Sequence, residues 1–227
     1  HHGGSAMEKA IQARYYWQGM QNDIRLFCRS CLGCQSVKGS TKAVKGHGVR
    51  TCRARQPFEA LSIDLVGPLP QCTSGARYLL TMMDRFSRYC MLQPINDIRT
   101  KTVLAAYEKW LCVFGAPKSV LSDNGSQFIS EVFKLYNKSQ GIKQKFSTPY
   151  YPESNGQIER LHRWIKERLT LISMDLGVNF VDGEDDWDRY IPLIQHTHNA
   201  TPRDVTKMSP NKLIFGRDLR LAALGGV

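Results

Sequence analysis

Long apolar runs are missing from this 227-residue sequence. No stretch approaches the ~20 apolar residues that cross a bilayer as a helix, so a transmembrane helix is excluded. No secretory leader opens the chain; its first residues, HHGG, read as an expression scar or as the cut edge of a longer protein. Cysteine is scarce and odd in number. Of seven, Cys52, Cys72, Cys90 and Cys112 stand singly, and Cys28, Cys31 and Cys34 cluster. That pattern argues against a disulfide framework and suits a reducing compartment. Acids are few in the N-terminal quarter: residues 1–57 hold two Asp/Glu against ten Lys/Arg, net +8, whereas residues 58–227 hold 18 against 21, net +3. Most of the overall +11 therefore sits in that quarter. It reads either as a solvated basic segment or as a contact for a polyanion such as nucleic acid.

The rest of the composition, 42% hydrophobic and 22% charged, is that of a globular protein of one large or two small domains. Residues 8–35 read as helical, with apolar positions at Ile11, Tyr15, Met20, Ile24, Leu26 and Phe27, and Gly19 among them predicts two helices with a break. Residues 36–57, rich in Gly, Ser, Lys and Arg, read as a basic linker. From Phe58 the pattern changes. ALSIDLVGPLP alternates, with Leu61, Ile63 and Leu65 on one face and Ser62, Asp64 and Val66 on the other, until Pro68 and Pro70 end it. RYLLTMMD (77–84) and YCMLQPI (89–95) predict two further strands joined as a hairpin across RFSR. A helix is predicted over 100–115, with Thr100 as N-cap and Gly115 as its stop. A strand at KSVLS, a helix at SEVFKLYNKSQG and a strand at IKQKFS follow. After the loop TPYYPESNG a long helix begins, with Ile158, Leu161, Ile165, Leu169 and Ile172 at spacings of three and four. DWDRYIPLIQHTHNATP predicts one more helix, its leading acids (DGEDDWD) serving as caps and dipole partners. SPNKLIFG closes the domain. Three strands, helix, strand, helix, strand, helices is the order of a mixed α/β sheet.

Three acids have informative settings. Asp64 lies inside the first strand, Asp123 ends the fourth just before Asn-Gly, and Glu159 opens the long helix. Neighbouring strands are ~4.8 Å apart, so two strand acids on one face can converge on one ion, and a helix-borne Glu can complete the set. Carboxylate oxygens suit Mg²⁺, and two such ions clamp the attacking and leaving oxygens of a phosphoryl transfer. Each acid also has a plain structural reading: a hydrogen-bonded strand polar, a turn residue, a helix-start charge. The residues alone leave both open. Cys31-x-x-Cys34 has metal-knuckle spacing, and a basic chain of this kind favours Zn²⁺ there over a disulfide, with two more ligands still to find.

LSIDLVGPLP, LSDNGSQF and YYPESNGQIERLHRWIK together resemble the catalytic signature of retroviral and gypsy-type LTR-retrotransposon integrases: two aspartates, then a glutamate after 35 intervening residues, here 124–158. HTHNATPRDVTKMSPNKLIFGRD resembles late text of the same family. The resemblance implies an RNase H-like five-stranded mixed sheet flanked by helices, preceded by a small helical zinc-binding domain. It implies Mg²⁺ or Mn²⁺ held by Asp64, Asp123 and Glu159, two ions in the active complex. The activity implied is 3′-end processing followed by strand transfer into target DNA. The division that follows is a partial zinc-binding domain over 1–40, the linker over 41–57, the core over 58–217 and a tail over 218–227. In the family two histidines complete the zinc site. His1, in H-x-G, matches the second, to join Cys31 and Cys34, while the first falls upstream of the sequence and Cys28 is a further stand-in. Two departures stand out. Tyr151-Pro152-Glu153 replaces the usual His-Pro-Gln, and His162 stands where Asn is common.

By the same resemblance Arg160, Arg163 and Lys166 neutralise DNA phosphates, Tyr150 and Tyr151 stack on unpaired bases, and Asn124, Gln127 and Asn155 position substrate. The bland counterparts are the solvated face of an amphipathic helix and rings that cap the core; His162 reads best as a surface histidine. Expected partners are element-end and target DNA and further copies of the chain, with no membrane. Expected locations are the nucleus, where integration occurs, and a cytoplasmic particle. Two rivals remain: a domesticated integrase-like protein that binds DNA or a partner without cutting, and an RNase H-like nuclease that hydrolyses but never joins.

Overall fold

The alternating stretch after Phe58 becomes strand β1, Ala60–Val66, the middle of the sheet. A computed structural model describes residues 4–12, 15–37, 54–147, 156–180, 185–203 and 206–219. β2 (Tyr78–Asp84) and β3 (Cys90–Ile95) follow β1 as antiparallel neighbours. Helix α4 (Thr100–Phe114) then crosses to β4 (Ser119–Ser122), and the helices α5 (Ser126–Ile129) and α6 (Glu131–Ser139) lead to β5 (Lys143–Phe146). β4 runs parallel to β1, and β5 parallel to β4. The order across the sheet is β3-β2-β1-β4-β5. The short α5 escapes prediction because its four residues carry no periodic signal.

Two apolar layers follow from strand alternation. Leu61, Ile63 and Val120 face Tyr107 and Trp110 of α4 and Phe128 and Phe133 of α5 and α6. Val66, Leu79, Met83 and Leu92 face the long helix α7 (Gly156–Leu176) through Ile158, Leu161, Ile165 and Leu169. A 3-10 turn, Trp187–Tyr190, and α8 (Ile191–Ala200) finish that layer with Trp187, Ile191 and Ile194. α9 (Pro210–Phe215) is started by the Ser209 hydroxyl, which accepts from Lys212 N at 3.0 Å, and is ended by Gly216 at φ 71°.

Two capping expectations are corrected. Thr100 is not the N-cap of α4: Arg99 takes that place, and the Thr100 hydroxyl donates to Ser130 Oγ at 3.1 Å, tying α4 to the start of α6. Asp186 precedes the 3-10 turn but makes no side-chain cap bond there. Its carboxylate accepts from Thr73 N at 2.7 Å and from the Thr73 hydroxyl, while Asp188 accepts from Ser74 Oγ at 2.6 Å. These acids latch the β1–β2 connection, a bond across more than a hundred residues that sequence neighbourhood cannot reveal.

The edge strand β3 is covered by α8. Asn199 accepts from Cys90 N at 2.9 Å and donates to Cys90 O at 2.8 Å, and Gln195 accepts from Leu92 N at 2.7 Å. At the N-terminus the predicted two helices are three: α1 (Gly4–Gln12), α2 (Met20–Ser30) and α3 (Leu32–Val37), with extended Cys31 between the last two. Gly19, at φ 82°, marks the predicted break. α3 lies on α7, where a side chain at Gly33 would press Leu171 Cδ2 at 3.3 Å. No helix among the described residues is long and apolar enough to cross a membrane.

Candidate active site

Register brings the first two acids together. The pairs Ala60–Ser119, Leu61–Val120 and Ser62–Leu121 keep one offset between β1 and β4; carried two residues further, it sets Asp64 beside Asp123. Adjacent strands lie ~4.8 Å apart. Leu61 and Ile63 point into the α4 layer, so alternation turns Asp64 towards α7, the side that Val66 occupies. Leu121 pairs with Ser62, which places Asp123 on that same side.

α7 carries the third acid over this face. Ile158 and Leu161 anchor its first turn in the core, which leaves Glu159 exposed between them. His162, three residues on and therefore on the Glu159 face, reaches the sheet: its Nε2 is 2.7 Å from Thr81 Oγ1, and its Nδ1 is 3.9 Å from Asp64 Oδ2. Thr81 is the cross-strand partner of Asp64, and its hydroxyl donates to the Asp64 carbonyl at 2.9 Å. That hydroxyl has one proton, so it accepts from His162, and the ring is the Nε2–H tautomer. Thus β1, β2 and the first turn of α7 are bolted together beside Asp64. The carboxylate oxygens of Asp64, Asp123 and Glu159 do not form a mutual group within 4.8 Å.

His162 is not the surface histidine expected. Its side chain is 15% exposed, because the ring turns in from α7 to meet Thr81 on β2. Burial, and then the Lys166 ammonium, push its pKa down to about 4. Unfolded, it takes up a proton near 6.5. The folded state therefore binds fewer protons between these values, and stability falls as pH drops through that window. The expected loss from this group is about 3 kcal/mol between pH 7 and pH 4. Urea denaturation at both pH values checks it: His162→Gln shows a smaller drop by about that amount, and an equal drop in both proteins contradicts it.

The Asp123 loop is shaped by two neighbours. Asp123 Oδ1 accepts from Gly125 N at 3.0 Å, an Asx-type turn. A side chain at Gly125 would meet Asp123 Oδ1 at 3.0 Å and collide with the Gln127 amide. Gln127, expected to position substrate, is 7% exposed and packs over Gly125, so it supports the loop from beneath. Asn124, Arg160, Arg163 and Lys166 are exposed on or near the acidic face. Tyr150, Tyr151 and Asn155 lie outside the described residues, as do His1, most of the linker 41–57 and the end of the tail 218–227.

At the N-terminal domain Cys34 is buried and Cys31 half-buried, and Cys31 Sγ accepts from Cys34 N at 3.4 Å. Two sulfurs on one turn with an amide aimed at the first suit a soft cation such as Zn²⁺. Cys28 instead meets Met7 Sδ at 3.6 Å. Elsewhere Cys72, Asp186 and Asp188 bring ligand atoms within 4.8 Å of one another. Burial pushes the Cys72 thiol up to about 11, and both carboxylates already hold Thr73 and Ser74, so this cluster is the latch described above.

Residues 54–152 match the family described as integrase core domain, and residues 1–40 the integrase zinc binding domain. The Pro-Pol polyprotein of simian foamy virus type 3 (strain LK3) is 29% identical over 218 residues, 96% of this chain and 18% of the polyprotein. That of feline foamy virus is 31% identical over 222 residues, 97% of this chain and 18% of the polyprotein. The transposon Tf2-3 polyprotein of Schizosaccharomyces pombe is 27% identical over 216 residues, 94% of this chain and 16% of the polyprotein. The chain thus spans less than a fifth of these relatives. Among solved structures, the simian T-cell lymphotropic virus intasome in complex with PP2A regulatory subunit B56 gamma aligns with a TM-score of 0.63 at 18% identity, over 96% of this chain and 74% of that one. The HTLV-2 integrase catalytic core domain in complex with magnesium aligns at 0.57 and 18%, over 71% of this chain and 99% of that one. These likenesses establish the fold, an RNase H-like sheet.

Proposed function

Because the chain belongs to the integrases of retroviruses and LTR retrotransposons, we propose that it is a metal-dependent polynucleotidyl transferase that trims a 3′ end and joins it to target DNA. The observation that carries this reading is the β1–β4 register, which sets Asp64 beside Asp123 on the face that Glu159 overlooks. Carboxylate oxygens are hard donors and fit Mg²⁺ or Mn²⁺, with Asp64, Asp123 and Glu159 as the holders. Two such ions, when bound, supply Lewis acidity to the attacking and leaving oxygens of an in-line displacement.

The chain's own residues supply position. Thr81 and His162 fix the α7–β1 spacing and with it the reach of Glu159. Gly125 and Gln127 fix the Asp123 turn. Arg160, Arg163 and Lys166 are placed to neutralise backbone phosphates, with Asn124, Asn155, Tyr150 and Tyr151 as further DNA contacts. The exchange is direct, one phosphodiester for another, with no covalent protein intermediate. Zn²⁺ on Cys31, Cys34 and His1 belongs to the same reading, as do the domain division 1–40, 41–57, 58–217 and 218–227, assembly with further copies, and work in the nucleus or a cytoplasmic particle.

A labelled duplex end incubated with the chain, Mn²⁺ and a target plasmid tests it. Joined product is expected. Nicking alone makes the chain a nuclease, and retardation without cleavage makes it a binder; either result overturns the proposal.

A further inference from the structure

The ring of His162 meets the sheet with both of its nitrogens. Nε2 lies 2.7 Å from Thr81 Oγ1 on β2, and Nδ1 lies 3.9 Å from Asp64 Oδ2 on β1. The Thr81 hydroxyl gives its proton to the Asp64 carbonyl, so the ring proton is on Nε2 and Nδ1 carries a lone pair. Asp64 Oδ1 accepts from Leu65 N at 2.8 Å, and Oδ2 is the oxygen on the histidine side. Bolting α7 to β2 uses Nε2 alone. It gives Nδ1 no task.

Nδ1 and Oδ2 both offer electron pairs, and their separation is too long for a hydrogen bond. It does match a shared cation: an octahedral ion with ligands at ~2.1 Å sets its ligand atoms roughly 3.0–4.2 Å apart. The other nitrogen is arranged as in a metal-bound histidine, whose second N–H is donated to an oxygen that fixes tautomer and ring plane. Thr81 is that oxygen here, and it is itself tied to β1 as the cross-strand partner of Asp64. Both side chains keep some exposure, so a small ion can enter between them.

We propose that His162 is a nitrogen ligand of the divalent cation held by Asp64, and that it tilts the site towards Mn²⁺ over Mg²⁺. The inference rests on the carboxylate-held metal proposed above and adds a donor of another kind to it. Imidazole nitrogen suits first-row transition ions, whereas Mg²⁺ prefers oxygen throughout. Where Asn is common in the family, this chain offers that nitrogen.

Mn²⁺ titrated into the full chain, with no DNA present, decides it. Electron spin-echo modulation of the bound ion is expected to show nitrogen coupling in the wild type. Asp64→Asn should release the ion and the coupling with it, which assigns both to this site even where a histidine variant fails to fold. His162→Gln presents an amide oxygen in place of the ring. It should abolish the coupling and lower Mn²⁺ affinity by about tenfold or more, while Mg²⁺ affinity falls by less than about threefold. Thr81→Val keeps the ring but removes its partner, so it should retain the coupling and weaken Mn²⁺ binding by about tenfold. An equal fall for the two cations in His162→Gln gives the histidine a packing role and overturns the proposal. So does a coupling that survives in His162→Gln, or its absence from a wild type whose Mn²⁺ Asp64→Asn releases; the three acids then stand without it. Mn²⁺ that does not bind, or that binds regardless of Asp64→Asn, refutes the carboxylate site and this ligand together.

Discussion

Asp64→Asn and Asp123→Asn, made one at a time, are expected to lower Mn²⁺-dependent strand transfer by at least about 10³-fold, or about 4 kcal/mol of transition-state stabilisation. Each substitution keeps shape and removes the charge that a hard cation needs. Asp64 lies in β1 and Asp123 follows the end of β4, so each approaches an ion from its own strand and neither can stand in for the other. Glu159→Gln should behave likewise, and a double variant should lose little beyond a single one, because residues that act as one unit are not additive. Folding supplies the control. Like charges side by side repel, so neutralising one should leave the unfolding midpoint unchanged or raise it. A variant that transfers strands within tenfold of the wild type removes that acid from the proposed site. Lost activity accompanied by a lowered midpoint would mean that the substitution broke the fold instead.

The second large effect is on stability. Asp84→Ala is expected to cost about 3–5 kcal/mol. Asp84 is 0% exposed and ends β2, where its carboxylate accepts from Phe58 N at 3.0 Å, Ser87 N at 2.8 Å and Ser87 Oγ at 2.6 Å. Removing it strands both buried Ser87 donors and the half-buried Phe58 amide. It also releases Phe58, held at φ 61° so that its ring stacks on Phe114 with centroids 4.5 Å apart. Asp84→Asn keeps one acceptor oxygen and should lose about half as much. Urea denaturation at neutral pH measures both; a loss under about 1 kcal/mol for the alanine variant would show that the donors find other partners.

The sequence carried the parts of this molecule that depend on period. Alternation in residues 61–66 already sorts Asp64 from Ile63, and spacings of three and four already give α7 its buried stripe. The placing of Asp64 in a strand and of Glu159 at the start of a helix was legible for the same reason. What stayed hidden depends on distant partners. Asp84 read as the last letter of a strand, and nothing nearby announces that Phe58 and Ser87 will converge on it. His162 looked exposed because the helix pattern does not say that Thr81 will rise to meet it. The Arg88 carbonyl and Arg203 Nη2, 115 positions apart by their numbers, both come within reach of His198 Nε2. Gln127 misled in the opposite direction: a polar residue after Asn-Gly suggests solvent, but the turn folds it inwards over Gly125.

The side-chain amides of Asn199 and Gln195 occupy the outer rim of β3 as a further strand would. The opposite rim, β5, is four residues long and carries Lys143 and Lys145, charges that discourage an incoming strand. Neither flank thus offers a neighbouring strand an easy edge. Contacts between copies of this chain are therefore favoured through helices and loops over extension of the sheet.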